Sequence, residues 1–76
     1  MKQTHLTPRQ WDIALLIADG LSNKAIGREL GITEATVKIQ LRQIFQKHNI
    51  RKRTRLAVMV VLWKREEEQR LALAAE

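Results

Sequence analysis

An all-α domain of four helices, the second and third forming a helix-turn-helix, is predicted from three observations. Apolar residues recur at the i, i+3 and i+4 spacing that gathers them on one helix face. Side chains that cap helices stand ahead of the apolar stretches, at Thr7, Ser22, Thr33 and Thr54. Gly20, Gly31 and Asn49 stand where those stretches stop, and both residue types tolerate a left-handed backbone.

The first helix begins in Leu6-Thr7-Pro8-Arg9-Gln10-Trp11. Thr7 is its N-cap, Pro8 suits the first helical position, and Gln10 completes a capping box. Leu6 and Trp11 occupy the two positions of a hydrophobic staple. The helix runs to about Asp19, with Ile13, Leu16 and Ile17 on one face and Gly20 as its stop. Ser22 caps the second helix, Asn23 to about Leu30, which carries Ala25, Ile26 and Leu30. Gly27 lies inside it, where glycine costs roughly 1 kcal/mol relative to alanine. Close approach of the following helix would offset that cost.

Gly31 turns the chain, and Thr33 caps the third helix, Glu34 to about His48. Val37, Leu41, Ile44 and Phe45 point inward, Asn49 ends the helix, and Ile50 packs back onto the core. A basic loop, Arg51-Lys52-Arg53, leads to a long C-terminal helix capped by Thr54. That helix opens with LAVMVVLW, an unbroken apolar run from Leu56 to Trp63. A helix apolar all round should be buried all round. In so short a chain one side meets the core, through Leu56, Val60 and Trp63, and the other needs a cover. The polar tail, 65–76, is helix-prone, with Glu66 and Arg70 in the favourable i, i+4 order. Residues 1–5 form a lead expected to fray. A length of 76 residues fits one domain.

The formal net charge is +6, and it is not evenly spread. Residues 1–22 sum to zero, residues 23–55 to +7 and residues 56–76 to −1. A localised basic block points to a polyanion, of which nucleic acid is the commonest. With no cysteine, disulfides and thiolate metal sites are excluded. His5 and His48 are far apart in sequence, so no metal or other cofactor is expected. No nucleophile–base pair, paired carboxylates or phosphate loop can be assembled, which argues against an enzyme. There is no secretion signal. The longest apolar run is far short of the about 20 residues that span a bilayer, so a soluble cytoplasmic protein with no membrane partner is expected.

Within residues 20–42, GLSNKAIGRELGITEATVKIQLR, a glycine turn joins two helices. The outer face of the second of these carries Lys38, Gln40 and Arg42, with Ile39 among them and no core for it to enter. Such a unit is a DNA-reading motif.

LTPRQ at 6–10, GLSNKAIGRELGITEATVK at 20–38 and RKRT at 51–54 resemble three successive blocks of the LuxR-type (LuxR/FixJ) helix-turn-helix domain of bacterial transcription regulators. The resemblance runs over roughly residues 6–62 without a gap. It implies a sequence-specific regulator that lays its third helix in the major groove of double-stranded DNA and dimerises through its fourth. It implies base contacts from Lys38, Ile39 and Arg42. Backbone contacts are implied from Asn23, Lys24, Thr33, Thr36 and Lys47, with Arg51, Lys52 and Arg53 as weaker candidates. The chemistry agrees. Lysine and arginine suit guanine O6 and N7, and isoleucine suits a thymine methyl. Asn23, Thr33 and Thr36 lie at helix N-termini, where free N–H groups favour phosphate. For the dimer, Thr54, Ala57, Val58 and Val61 would face the twin, giving a homodimer on an inverted repeat.

The chain departs from the family's pattern at several places. Gln10 replaces the usual glutamate and Gln40 the usual histidine, which puts a phosphate role for residue 40 in doubt. His48 replaces leucine and is expected at the core edge, neutral and hydrogen-bonded. Asn49 replaces glycine. Trp11 and Leu15 replace polar residues, and as i, i+4 neighbours they suggest an exposed apolar patch for RNA polymerase or a regulatory domain. Two rival readings remain: a module docking on another protein through that patch and the last helix, and a sigma-factor-like promoter-reading domain. RNA binding is weaker, since the chain has no tyrosine and a single phenylalanine to stack on bases.

Overall fold

The computed structural model describes residues 5–75 and places four helices in the order α1 (Pro8–Ala18), α2 (Asn23–Leu30), α3 (Glu34–Lys47) and α4 (Arg53–Ala74). No strand occurs among the described residues. Of the lead expected to fray, residues 1–4 lie outside the described residues.

Local chemistry sets the first three helix starts. Thr7 Oγ1 accepts from the Gln10 N–H at 3.1 Å, and Gln10 Oε1 accepts from the Thr7 N–H at 3.2 Å, which closes the capping box. Ser22 Oγ accepts from the Ala25 N–H, and Thr33 Oγ1 from the Thr36 N–H, each at 3.1 Å. The stops follow the same logic. Gly20, Gly31 and Asn49 have φ of 88°, 70° and 51°, so each turns the chain through the left-handed region.

The fourth start differs from expectation. Lys52, not Thr54, occupies the N-cap, and no side chain caps the helix. The cause lies elsewhere in the fold. Arg53, the first residue of α4, donates from Nη1 to Asn23 Oδ1 at 2.5 Å and from Nη2 to the Leu21 carbonyl at 2.6 Å. This clamp ties the start of α4 to the turn ahead of α2 and leaves Thr54 exposed inside the first turn.

The core gathers one stripe from each helix. Gln10, Ile13, Ala14 and Ile17 are buried on α1, Ile26 and Gly27 on α2, Val37, Leu41 and Ile44 on α3, and Leu56 and Val60 on α4. Leu6, ahead of α1, and Ile50, after α3, complete the core. Leu16 and Phe45, expected inside, are half-buried at the margin. Each fully buried Ile or Leu contributes roughly 1.5–3 kcal/mol. α1 packs mainly on α4 and also on α3, while α2 packs on α3.

Gly27 explains the tight α2–α3 joint. A Cβ there would lie 2.7 Å from the Ile32 carbonyl oxygen, so its nearest neighbour is the turn rather than the body of α3. α4 outruns the rest of the molecule. Its last fully buried residue is Val60, and beyond Trp63 and Glu67 it is open to solvent. In the tail Arg70 pairs with Glu67 rather than with Glu66. Its Nε and Nη2 each reach one carboxylate oxygen, at 3.3 and 2.6 Å, a forked contact.

Candidate nucleic-acid interface

α3 owes its placement to two joints. On one side the left-handed Gly31 and the bare backbone at Gly27 fix its start against α2. On the other, Val37, Leu41 and Ile44 lock one face into the core. The opposite face carries Lys38, Ile39 and Arg42, all exposed. Ile39 is 52% exposed, so nothing within the chain has claimed it. Lys38 lies 3.6 Å from Glu34, one turn back, in a pair open to solvent. An exposed i, i+4 pair is worth only about 0.3–0.5 kcal/mol, so a ligand can readily displace it.

The expected backbone-contact residues fall into two groups. Lys24, Thr33, Arg51 and Lys52 are exposed, and Thr36 is half-buried. Thr33 and Thr36 hydroxyls lie 2.9 Å apart at the start of α3. Asn23, Lys47 and Arg53 are already engaged. Asn23 Oδ1 accepts from Arg53, which leaves the Asn23 NH2 for another acceptor. Arg53 is half-buried and acts chiefly as the clamp. Lys47 Nζ donates to Gln10 Oε1 at 2.6 Å and to the His5 carbonyl at 3.0 Å, and its third proton is left over. In place of Arg53, Arg55 joins Arg51 and Lys52 around a shallow open hollow beside Asn49.

Gln40, to which the residues alone gave no firm role, has a partner across the fold. Gln10 Nε2 donates to Gln40 Oε1 at 3.1 Å and to Gln43 Oε1 at 2.9 Å. Gln10 and Gln43 were not among the expected site residues. A signal for Gln10 was present, since it shares the i, i+3, i+4, i+7 stripe with Ile13, Ala14 and Ile17.

The apolar surfaces are redistributed. Trp11 and Leu15, expected as an open patch, are half-buried against the core. α4 packs over this side of α1, and the ring centroids of Trp11 and Trp63 lie 6.4 Å apart. His48 is half-buried at the core edge, its ring centroid 4.7 Å from that of Trp63. On the expected dimer face Thr54, Val58 and Val61 are exposed, while Ala57 is half-buried against the core. Leu62, one turn beyond Val58, is also open.

Among the described residues no cluster of side chains could hold a metal ion, and no helix is long and apolar enough to cross a membrane.

Comparison with known proteins gives a consistent result. The model of the family described as "Bacterial regulatory proteins, luxR family" matches residues 4–60. The nitrate/nitrite response regulator protein NarL of Escherichia coli (strain K12) is 49% identical over 55 residues, covering 72% of this chain and 26% of NarL. The transcriptional regulatory protein LiaR of Bacillus subtilis (strain 168) is 47% identical over 53 residues, covering 70% of this chain and 25% of LiaR. The two-component response regulator PprB of Pseudomonas aeruginosa is 45% identical over 53 residues, covering 70% of this chain and 19% of PprB. The chain thus spans about a quarter or less of the length of these relatives.

Proposed function

Because the chain belongs to the luxR family of bacterial regulatory proteins, we propose that it reads specific sequences in double-stranded DNA with α3 in the major groove, as the DNA-binding part of a transcription regulator. The observation that carries this reading is the open face of α3. Lys38 and Arg42 stand one turn apart with Ile39 between them, on a helix whose other face is locked in the core. Two cations and one apolar side chain match guanine acceptors and a thymine methyl.

The flanks supply phosphate contacts. The free first-turn N–H groups of α2 and α3 attract phosphate oxygens, beside Lys24, the NH2 of Asn23 and the Thr33 and Thr36 hydroxyls. Lys47, Arg51, Lys52 and Arg55 add positive charge. The exposed Thr54, Val58 and Val61 face a second copy, and the twofold pair reads an inverted repeat. The half-buried state of Trp11 and Leu15 gives no support to a docking patch on α1.

Selection of bound duplexes from a random pool tests the whole reading. An enriched inverted repeat is expected, and failure to enrich any sequence would overturn it. Two substitutions then separate the roles. Arg42→Ala should relax preference at one base position, because each bidentate contact carries about 1–3 kcal/mol of discrimination. Lys47→Ala should weaken all duplexes alike and flatten the salt dependence.

A further inference from the structure

Gln10 is the one buried polar side chain among the described residues, 2% exposed, and its amide is fully used. Its oxygen accepts from the Thr7 N–H and the Lys47 ammonium, and its NH2 donates to Gln40 and Gln43. A carboxamide has two lone pairs and two donor protons, so nothing is left over.

A neutral amide at this place has two chemical consequences. It holds the Lys47 ammonium by a carbonyl oxygen and does not neutralise it. It also takes the oxygen ends of Gln40 and Gln43, which leaves their NH2 ends for an outside partner. Residues 40, 43 and 47 recur at i, i+3 and i+7, so they run along one flank of α3. That flank therefore presents hydrogen-bond donors: two amides and one ammonium. Phosphate oxygens only accept.

We propose that Gln10, though it does not face the ligand, is a positioning residue for the DNA backbone: it turns Gln40 and Gln43 into phosphate donors and leaves the charge of Lys47 without a neighbouring anion to offset it. This rests on the DNA-binding reading above and adds Gln40 and Gln43 to the phosphate contacts. A carboxylate in the same place would do the opposite. It would pair with Lys47 as an ion pair. Having no donor, it would draw the NH2 ends of Gln40 and Gln43 inward and turn their oxygens toward phosphate.

The test is Gln10→Glu, assayed by duplex binding across a salt series, with thermal melting to show that the variant is folded. Binding about tenfold weaker at low salt is expected, with the salt slope reduced by about 0.9, the share of one phosphate contact. The order of preference among duplexes should not change, since backbone contacts carry no sequence information. Lys47→Gln should flatten the slope in the wild-type background and not in the Gln10→Glu background. A folded Gln10→Glu variant with the wild-type slope would overturn the proposal, as would additive flattening in the double variant.

A second measurement needs no variant. In the wild-type chain the NH2 protons of Gln10 should exchange slowly with water by NMR, and those of Gln40 and Gln43 freely. Free exchange at Gln10 would overturn the proposal even if Gln10→Glu failed to fold. A wild-type chain that bound no duplex would remove the DNA-binding reading and this inference with it. Normal wild-type binding with an unaltered Gln10→Glu variant would remove the inference alone.

Discussion

A methyl group on Gly27 would stand 2.7 Å from the Ile32 carbonyl oxygen and 3.4 Å from the Glu34 nitrogen. Both neighbours are backbone and cannot rotate aside, and the Ile32 N–H is itself bonded to the Gly27 carbonyl at 2.9 Å. Helix propensity alone would favour alanine by about 1 kcal/mol. Overpacking wins here, so Gly27→Ala should lower stability by about 1–3 kcal/mol. Thermal unfolding checks this; an unchanged or raised Tm would contradict it. The other single-residue features divide by the range of their partners. Caps at Thr7, Ser22 and Thr33 and turns at Gly20, Gly31 and Asn49 were legible because each is decided within a few neighbouring residues. The clamp at Arg53 and the bonds of Gln10 to α3 were not, since their partners lie 30 to 37 residues away. Composition shows that such side chains can bond but not what the fold brings to them.

At the scale of a helix, α4 shows what an apolar run leaves open. LAVMVVLW announced both a buried and an uncovered side, and the structure has both. It did not announce where the helix starts, because no local cap decides it. The far end of α4 depends on its own side chains. The Arg70 hydrogen bond holds the Glu67 carboxyl below its ordinary pKa, and the same bond raises that of Arg70. A carboxyl whose pKa is depressed in the folded state stabilises fully above its ordinary value and loses that contribution as pH falls through the depressed one. The tail should therefore lose helicity in acid before the core unfolds. Far-ultraviolet circular dichroism should show a small early step in acid that Arg70→Ala abolishes. The step should shrink in high salt, since both groups are exposed.

For the molecule as a whole, the open side of α4 decides whether one copy suffices. Val58 and Val61 are 59% and 49% exposed, so replacing them disturbs little within one chain. Substitutions at such sites usually change stability by less than about 0.5 kcal/mol. Val58→Glu with Val61→Glu should leave Tm nearly unchanged and abolish any dimer seen by sedimentation, with loss of binding to an inverted repeat but not to a half-site. A dimer that survived both charges would place the interface elsewhere. The face of α3 was legible in outline because Ile39 had no core to enter. The side of α1 at Trp11 and Leu15, expected to be open, is half-buried, because Trp63 of α4 reaches Trp11 from far along the chain, a contact that no local pattern announces. That covering has an optical consequence. Trp11 and Trp63 are the two tryptophans of the chain, with ring planes tilted by 40°. Indoles this close couple their electronic transitions, and the coupling survives only while α1 and α4 stay docked. None of the residues proposed to touch DNA belongs to that pair. The chain thus carries a native spectroscopic reporter: its near-ultraviolet signal should hold steady as duplex is added and collapse when α4 leaves the body.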